Sequence, residues 1–351
     1  MHVLLLNQVF HPDVAATAQH AHDLGRHLVA QGHRVTVVAS RSIYGQTGAT
    51  LPARETVDGI EVHRVSANRF SKRFIVLRLV DFASFYVLAA WRCLTLRPRP
   101  DVVVAFTTPP LIALVGVLMK LRGCRFVYWV MDLYPDLTVA LGTMREHGVV
   151  HRVCEWVSRL ILRRADRVVA LGDDMARRVI GKGIHPAKVV VINVWSDDQE
   201  VRPIARGDNP VRREWALGDT FVVMYSGNLG LAHDVDTFLG AIERLRDRED
   251  VRFVFVGSGA LMERLRAAVA DRQLQRRVVL QPYQPREKLG ALLAAGDLHL
   301  ISQSPKVVGM LVPSKLFGVM AAGRPAAFVG PAESHAAGVL ATHDAGRAFA
   351  V

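Results

Sequence analysis

"TFVVMYSGNLGLAHDVDTFLGAIERLRDREDVRFVFVGSGA", residues 220–260, decides the fold. It predicts an apolar strand over 220–227, a helix over 235–248 and a second apolar strand over 251–259. The loop "SGNLGLAHD" (226–234) leaves the first strand and enters the helix, and "VGSGA" (256–260) repeats the arrangement one strand later. Strand, Gly-bearing turn, helix and strand again form a βαβ unit. Near-continuous Val-rich strands belong to a parallel sheet covered on both faces.

The pattern extends in both directions. Downstream, "RVVLQPY" (277–283), "DLHLIS" (297–302) and "PAAFVG" (325–330) read as further strands, with a helix over 260–272. Upstream lies a second series: "HVLLL" (2–6), a helix over 16–31, "RVTVVAS" (34–40), "IEVHRV" (60–65), "DVVVAF" (101–106), "CRFVYWV" (124–130), "ADRVVAL" (165–171) and "KVVVIN" (188–193). Residues 195–219 are polar and carry two prolines, and read as an inter-domain connection. The expectation is an α/β chain of two doubly wound Rossmann-like domains, 1–194 and 220–351, facing a central cleft. Ligands of such sheets sit beyond the carboxyl ends of the strands. The chain ends at "DAGRAFAV", where closing helices are expected, so the C-terminus reads as short.

Half of the 351 residues are hydrophobic, enough for a sizeable core and against gross disorder. Lys plus Arg number 44 against 32 Asp plus Glu, a net +12, which suits a polyanionic partner or a solvated basic surface. Nucleic acid is not expected, because no recognised module or aromatic–basic interleaving is present. Cys93, Cys124 and Cys154 are far apart and read as reduced residues of a cytoplasmic protein. The N-terminus has no signal-peptide pattern, and no apolar run reaches spanning length. No spacing suits a metal. The segment 71–97 has a broad apolar face, a polar line through Arg78, Asp81 and Ser84, and flanking cations at Lys72, Arg73, Arg92 and Arg97. It reads either as a core helix or as a helix lying in an anionic membrane interface.

Several strand-end loops could carry chemistry. Gly227 and Gly230 allow a phosphate to approach the backbone, though a plain βα turn needs them too. In "QSPKVVGMLVPSKLFGVMAAGRP" (303–325), Ser314 and Lys315 open a helix, as a cap and solvated cation or as donors to a diphosphate. Lys306 has the same two readings, and Gly323 reads as the helix stop. "VMDLYPD" (130–136) places Asp132 and Asp136 after a strand; Asp132 could activate a hydroxyl or cap a helix. "NQVFHPDVAATAQHAHD" (7–23) places His11, Asp13, Thr17 and Gln19 after the first strand, with His20 and His22 read as surface histidines.

The ordered series resembles one family. "GHRVTVV", "VMDLYPD", "ADRVVALGDDMARRVIGKGIHPAKVVVINVWSD", "VVMYSGNLGLAHDVDTFLGAIERL", "VRFVFVGSGA" and "VPSKLFGVMAAGRPAAFVG" are similar to glycosyltransferase family 4, of GT-B fold, over nearly the whole chain. The nearest resemblance is to the bacterial branch that builds O-antigen, capsule or colanic-acid-type exopolysaccharide. That resemblance implies retaining hexosyl or N-acetylhexosaminyl transfer from a UDP-, GDP- or dTDP-sugar to a polyprenyl-diphosphate-linked saccharide. It implies no cofactor or essential metal, and a peripheral place at the inner face of the cell membrane. Carried onto this sequence, Gly227, Asn228, Leu229 and Gly230 match the loop at the donor phosphates, and His233 falls where many members have Lys. Gly257 and Gly259 match the nucleotide loop, and Pro282-Tyr283 the segment framing the base. Ser314 and Lys315 match the diphosphate site, with Lys306 a second cation. Lys315 and Asp132 are the expected catalytic residues; His11, Asp13, Thr17 and Asp132 are the expected acceptor side. Two glutamates usual in the family are replaced by Met310 and Gly318. A nucleotide-sugar epimerase of the same fold, or an inactive sugar-nucleotide binding protein, are the alternatives.

Overall fold

The computed structural model describes residues 1–43, 50–66 and 75–350, those of 75–82 by backbone alone. Lys72 and Arg73, and the side chains of Arg78 and Asp81, lie outside the described residues. The chain divides into two compact units, Met1–Asn193 and Val194–Val351.

In the first unit the elements run β1 (His2–Leu6), α1 (Ala16–Ala30), β2 (Arg34–Ser40), β3 (Arg54–Val57), β4 (Ile60–Val65), α2 (Ile75–Thr95), β5 (Val102–Ala105) and α3 (Leu114–Met119). They continue with β6 (Arg125–Trp129), α4 (Asp136–Ala140), α5 (Val149–Arg164), β7 (Arg167–Ala170), α6 (Asp173–Gly181) and β8 (Val189–Val191). The sheet order is β3-β4-β2-β1-β5-β6-β7-β8. Every pairing is parallel except β3 with β4. β1 is buried at every residue, as an apolar strand in the middle of a covered sheet must be. β3 is a strand the alternation missed. It has half-exposed polar residues and pairs through Asp58-Gly59, both with positive φ. The Asp-Gly dipeptide was its available signal.

α2 packs on α3, and α3 on α5. The three follow from right-handed crossovers running in one direction along the sheet, which places them on one face. His20 and His22 are not surface histidines. Both are buried on the inner side of α1, where His22 Nε2 meets Asp58 at 2.9 Å. Cys93 and Cys124 are buried, Cys154 half-buried, and none is paired. Burial pushes the Cys93 thiol up to about 12. Among the described residues, no helix is long and apolar enough to cross a membrane.

The second unit holds α7 (Pro210–Glu214), β9 (Phe221–Asn228), α8 (Asp236–Arg244), β10 (Val251–Ser258), α9 (Met262–Asp271), β11 (Val278–Gln281), α10 (Leu289–Ala295), β12 (Leu298–Ser302), α11 (Lys315–Ala321), β13 (Ala326–Val329), α12 (His335–Thr342) and β14 (Gly346–Phe349). Its sheet is wholly parallel, in the order β11-β10-β9-β12-β13-β14. Alternate strand residues feed two cores. Val223, Tyr225, Phe253 and Phe255 pack with Phe238 and Leu265. Val222, Met224, Val254 and Val256 pack with Val211, Leu217 and Leu292. α7 lies against α10. Asn209 caps it, its Oδ1 accepting from the N–H groups of Val211 (2.9 Å) and Arg212 (3.1 Å). Buried Arg212 then donates to Ala295 and Thr220 carbonyls and pairs with Asp297 at 3.1 Å.

Candidate functional site

The second unit builds a polar cluster where β9, β10 and β12 end. β9 and β10 run in register to their tips, with Gly227 opposite Gly257 and Asn228 opposite Ser258. Gly227, Gly257 and Gly259 have φ of 120, 130 and 136°. A Cβ on Gly257 would collide with the Gly227 carbonyl, and one on Gly259 with the Leu229 backbone. Glycine is what lets the two loops lie backbone on backbone.

Tyr225 sits beneath them, fully buried, its hydroxyl donating to the Asn228 carbonyl at 2.8 Å. Burial pushes its phenol up, and nearby Tyr283 adds to the effect. On the Tyr225 ring rests the Lys315 ammonium, 3.6 Å from the centroid. The Lys315 amine also lies 3.7 Å from where a Cβ of Gly227 would stand. Its Nζ is shielded from solvent and has no hydrogen-bond partner. Burial holds its pKa well below the usual lysine value. An amine in this condition has an unmet capacity for an anion: the ring face offers only a cation–π contact.

His233 meets the Tyr225 ring edge-on at 5.7 Å. Its Nδ1 lies 2.8 Å from the Ser302 carbonyl, so that nitrogen carries the proton. Burial first, and the Lys315 charge second, lower its pKa to about 3, so the ring is neutral at physiological pH. Ser302 Oγ accepts from the N–H of Asp234, and Ser304 N–H donates to Ala232, tying the end of β12 to the β9 loop. A cavity of about 210 Å³ opens here, lined by His233, Asp234, Arg264, Ser304 and Pro305 among others.

The structure therefore brings Gly227, Asn228, Gly230, His233, Gly257, Gly259 and Lys315 together. Ser314 stands at the N-cap of α11 but its hydroxyl makes no capping bond. Tyr283 is 41% exposed. Lys306 is exposed on a 3₁₀ turn, Pro305–Val307, its N–H directed at Ser304 Oγ (3.4 Å). Met310 is buried, and a Cβ on Gly318 would press on Leu293 at 3.0 Å. Tyr225, Ser302 and Arg264 belong to the cluster and were not singled out in the sequence. Tyr225 and Ser302 read there as ordinary strand residues; their position at strand ends was the only signal.

The first unit stitches its own strand-end loops. Gln8 N–H donates to Thr108 at 2.7 Å, and Asp132 N–H to Thr107 Oγ at 3.3 Å. The loops after β1, β5 and β6 are thus joined. Asp132 is half-buried, and burial raises its carboxyl to about 6. Buried Asp13 accepts from the N–H of Ala15 at 3.0 Å and sets the start of α1, on which Thr17 is half-buried. The His11 ring lies 4.6 Å from that of His22, and its carbonyl accepts from Arg64. Asp136 forms an ion pair with Lys182 at 2.7 Å. Among the described residues no group of three or more His, Cys, Asp or Glu could hold a metal ion.

Two domain families match this chain: "Glycosyl transferase 4-like domain" over residues 16–195 and "Glycosyl transferases group 1" over 220–350. The chain belongs to the glycosyltransferases of this family 4 type, and its two parallel-sheet units are those of the GT-B fold. It is 29% identical over 339 residues to WcaI of Escherichia coli (strain K12), whose name assigns it to glycosyl transfer in colanic acid biosynthesis. The match spans 92% of this chain and 82% of WcaI. Among solved structures it is similar to a sucrose-phosphate synthase of Thermosynechococcus elongatus, with a TM-score of 0.75 and 16% identity over 100% of this chain and 86% of that one. It is also similar to HepE of Anabaena in complex with UDP-glucose, with a TM-score of 0.69 and 17% identity over 100% and 85%.

Proposed function

We propose that this glycosyltransferase moves a hexosyl or N-acetylhexosaminyl group from a nucleotide-sugar to a polyprenyl-diphosphate-linked saccharide, with retention of configuration, in the synthesis of a surface polysaccharide. The single observation that carries the reading is the buried, unpartnered Lys315 amine beside Gly227. Such a group gains most from an anion that forms as the reaction proceeds. In the proposed step the bond from the anomeric carbon to the diphosphate oxygen breaks and a bond to the acceptor oxygen forms on the same face of the sugar, as retention requires. Lys315 takes the charge left on the diphosphate. The transition state is oxocarbenium-like, and Asp132 activates the acceptor hydroxyl and receives its proton. Gly227, Asn228, Gly230, Gly257 and Gly259 present backbone to the donor. His233, Ser314 and Lys306 complete its diphosphate surroundings, and Tyr283 frames the base. His11, Asp13 and Thr17 sit on the acceptor side. No resident metal takes part, and the enzyme works at the inner face of the membrane. The likeness to a protein crystallised with UDP-glucose and to one named for colanic acid biosynthesis supports the donor and the pathway class.

The test is incubation of membranes holding the full-length protein with UDP-, GDP- and dTDP-sugars and a polyprenyl-diphosphate saccharide. An extended lipid-linked product is expected. Nucleotide release without extension would overturn the transfer, and an epimer formed without acceptor would turn the reading to epimerisation.

A further inference from the structure

The outward side of α2, α3 and α5 carries large, exposed apolar side chains. Trp91 of α2 is 69% exposed and Trp156 of α5 is 65% exposed. Around them Val87 and Val153 are exposed, and Leu121, in the 3₁₀ turn that follows α3, is 85% exposed. Val87, Trp91 and Leu94 recur at helical spacing on α2, as do Val149, Val153 and Trp156 on α5. Both stripes therefore point away from the sheet, from helices on the same face of it.

Charge identifies what covers this face. Arg152, Arg159 and Arg163 flank the Trp156 stripe, and all three are exposed. Over 83–95, 114–122 and 149–164 the one carboxylate is Glu155, and it is paired with Arg159 (2.7 Å) and Lys182 (2.8 Å). A second copy of the chain would meet this face isologously, setting arginine against arginine. An anionic surface meets it with opposite charge, and tryptophan is the residue that settles between headgroup and hydrocarbon. No described helix can span a bilayer, so the geometry is that of lying on one.

We propose that this face of the first unit docks on an anionic phospholipid bilayer, with Trp91, Trp156 and Leu121 entering the headgroup–acyl boundary and the arginines contacting phosphates. This deepens the reading above and rests on it for the lipid-linked acceptor; the face itself is observed independently.

The experiment is co-sedimentation of the full-length protein with vesicles of phosphatidylglycerol and phosphatidylcholine, against vesicles of phosphatidylcholine alone. Binding to the anionic vesicles that weakens with added salt is expected. Trp91→Ser with Trp156→Ser should lower the partition coefficient by about tenfold or more, since each ring buries a large apolar area. Leu121→Glu with Val153→Glu, at two further exposed positions, should do the same if the first pair impairs folding. Wild-type protein that ignores anionic vesicles, or variants that bind them as wild type does, would overturn the proposal. So would a wild-type dimer in sedimentation that the tryptophan pair dissociates. Turnover on a water-soluble short-chain acceptor reads the transfer reaction apart from docking: its absence in wild type refutes the function and leaves the docking face standing.

Discussion

The ammonium of Lys315 lies 3.6 Å above the ring of Tyr225, ninety residues earlier in the chain, and its Nζ has no hydrogen-bond partner. A buried polar group in that state lowers stability. Lys315→Met is therefore expected to raise the thermal midpoint while lowering kcat/KM by roughly 100-fold or more, the scale on which one electrostatic donor acts. Thermal unfolding and turnover on the same preparation check both; unchanged turnover removes Lys315 from the reaction.

The same burial sets a pH dependence. Lys315 has its folded pKa below its unfolded one, so the unfolded chain binds more protons between the two values. Stability from this group thus rises as pH rises through that window. A diphosphate beside the amine favours the charged form. At a pH where the free amine is deprotonated, binding of a nucleoside diphosphate should take up a proton, and affinity should fall as pH rises above the free amine's folded pKa. Calorimetry in buffers of different ionisation heat measures the uptake, and Lys315→Met should abolish it.

Gly257→Ala is expected to destabilise the protein by roughly 1–3 kcal/mol, the cost of a strained backbone. Its φ is 130°, and the new methyl would strike the Gly227 carbonyl. A denaturant titration gives the stability loss; donor affinity should fall with it, because the two loops cannot both stay in register.

Asp132 has its carboxyl raised to about 6 by burial. A raised acid holds its proton longer in the folded state, so its contribution to stability is lost as pH rises from the unfolded value to about 6. If the ionised form activates the acceptor hydroxyl, turnover should climb as pH rises through about 6 and level off above it. Asp132→Asn should abolish both slopes, read from pH–rate and pH–stability profiles; a surviving climb would assign it elsewhere.

Arg212→Ala should cost about 3–5 kcal/mol, the range for breaking one side of a buried pair. It removes the buried partner of Asp297, leaving that carboxylate to Arg206 and the Val222 N–H, and leaves the Ala295 and Thr220 carbonyls without their donor. Chemical denaturation measures it. In the sequence Arg212 is one more basic residue of a polar connecting stretch. Its role depends on Asp297, 85 residues away.

Much of the fold is legible because burial is written locally. "VVMYSGN" and "FVFVGSG" announce strands that run into glycines, and these two, β9 and β10, are neighbours in the second sheet. The Gly loops, the position of Asp132 after β6 and the order of motifs follow from the same patterns, and the family follows from that order. β3 escaped because a half-exposed polar strand has little apolar alternation to show, and β14 because it is mostly exposed. His20 and His22 were misplaced for a related reason: local polarity suggests surface, whereas burial is decided by what another strand pair brings over them.

The sequence by itself determined the covered parallel sheets, the glycines at their ends, the basic charge and the kinship, since each is a property of neighbouring residues or of their order. Only the tertiary structure decided that Lys315 has an aromatic ring beneath it and no partner, that His233 is neutral, and that Trp91 and Trp156 share one face. Those depend on which distant side chains displace water from a group, and solvation of that kind is a property of the packed chain.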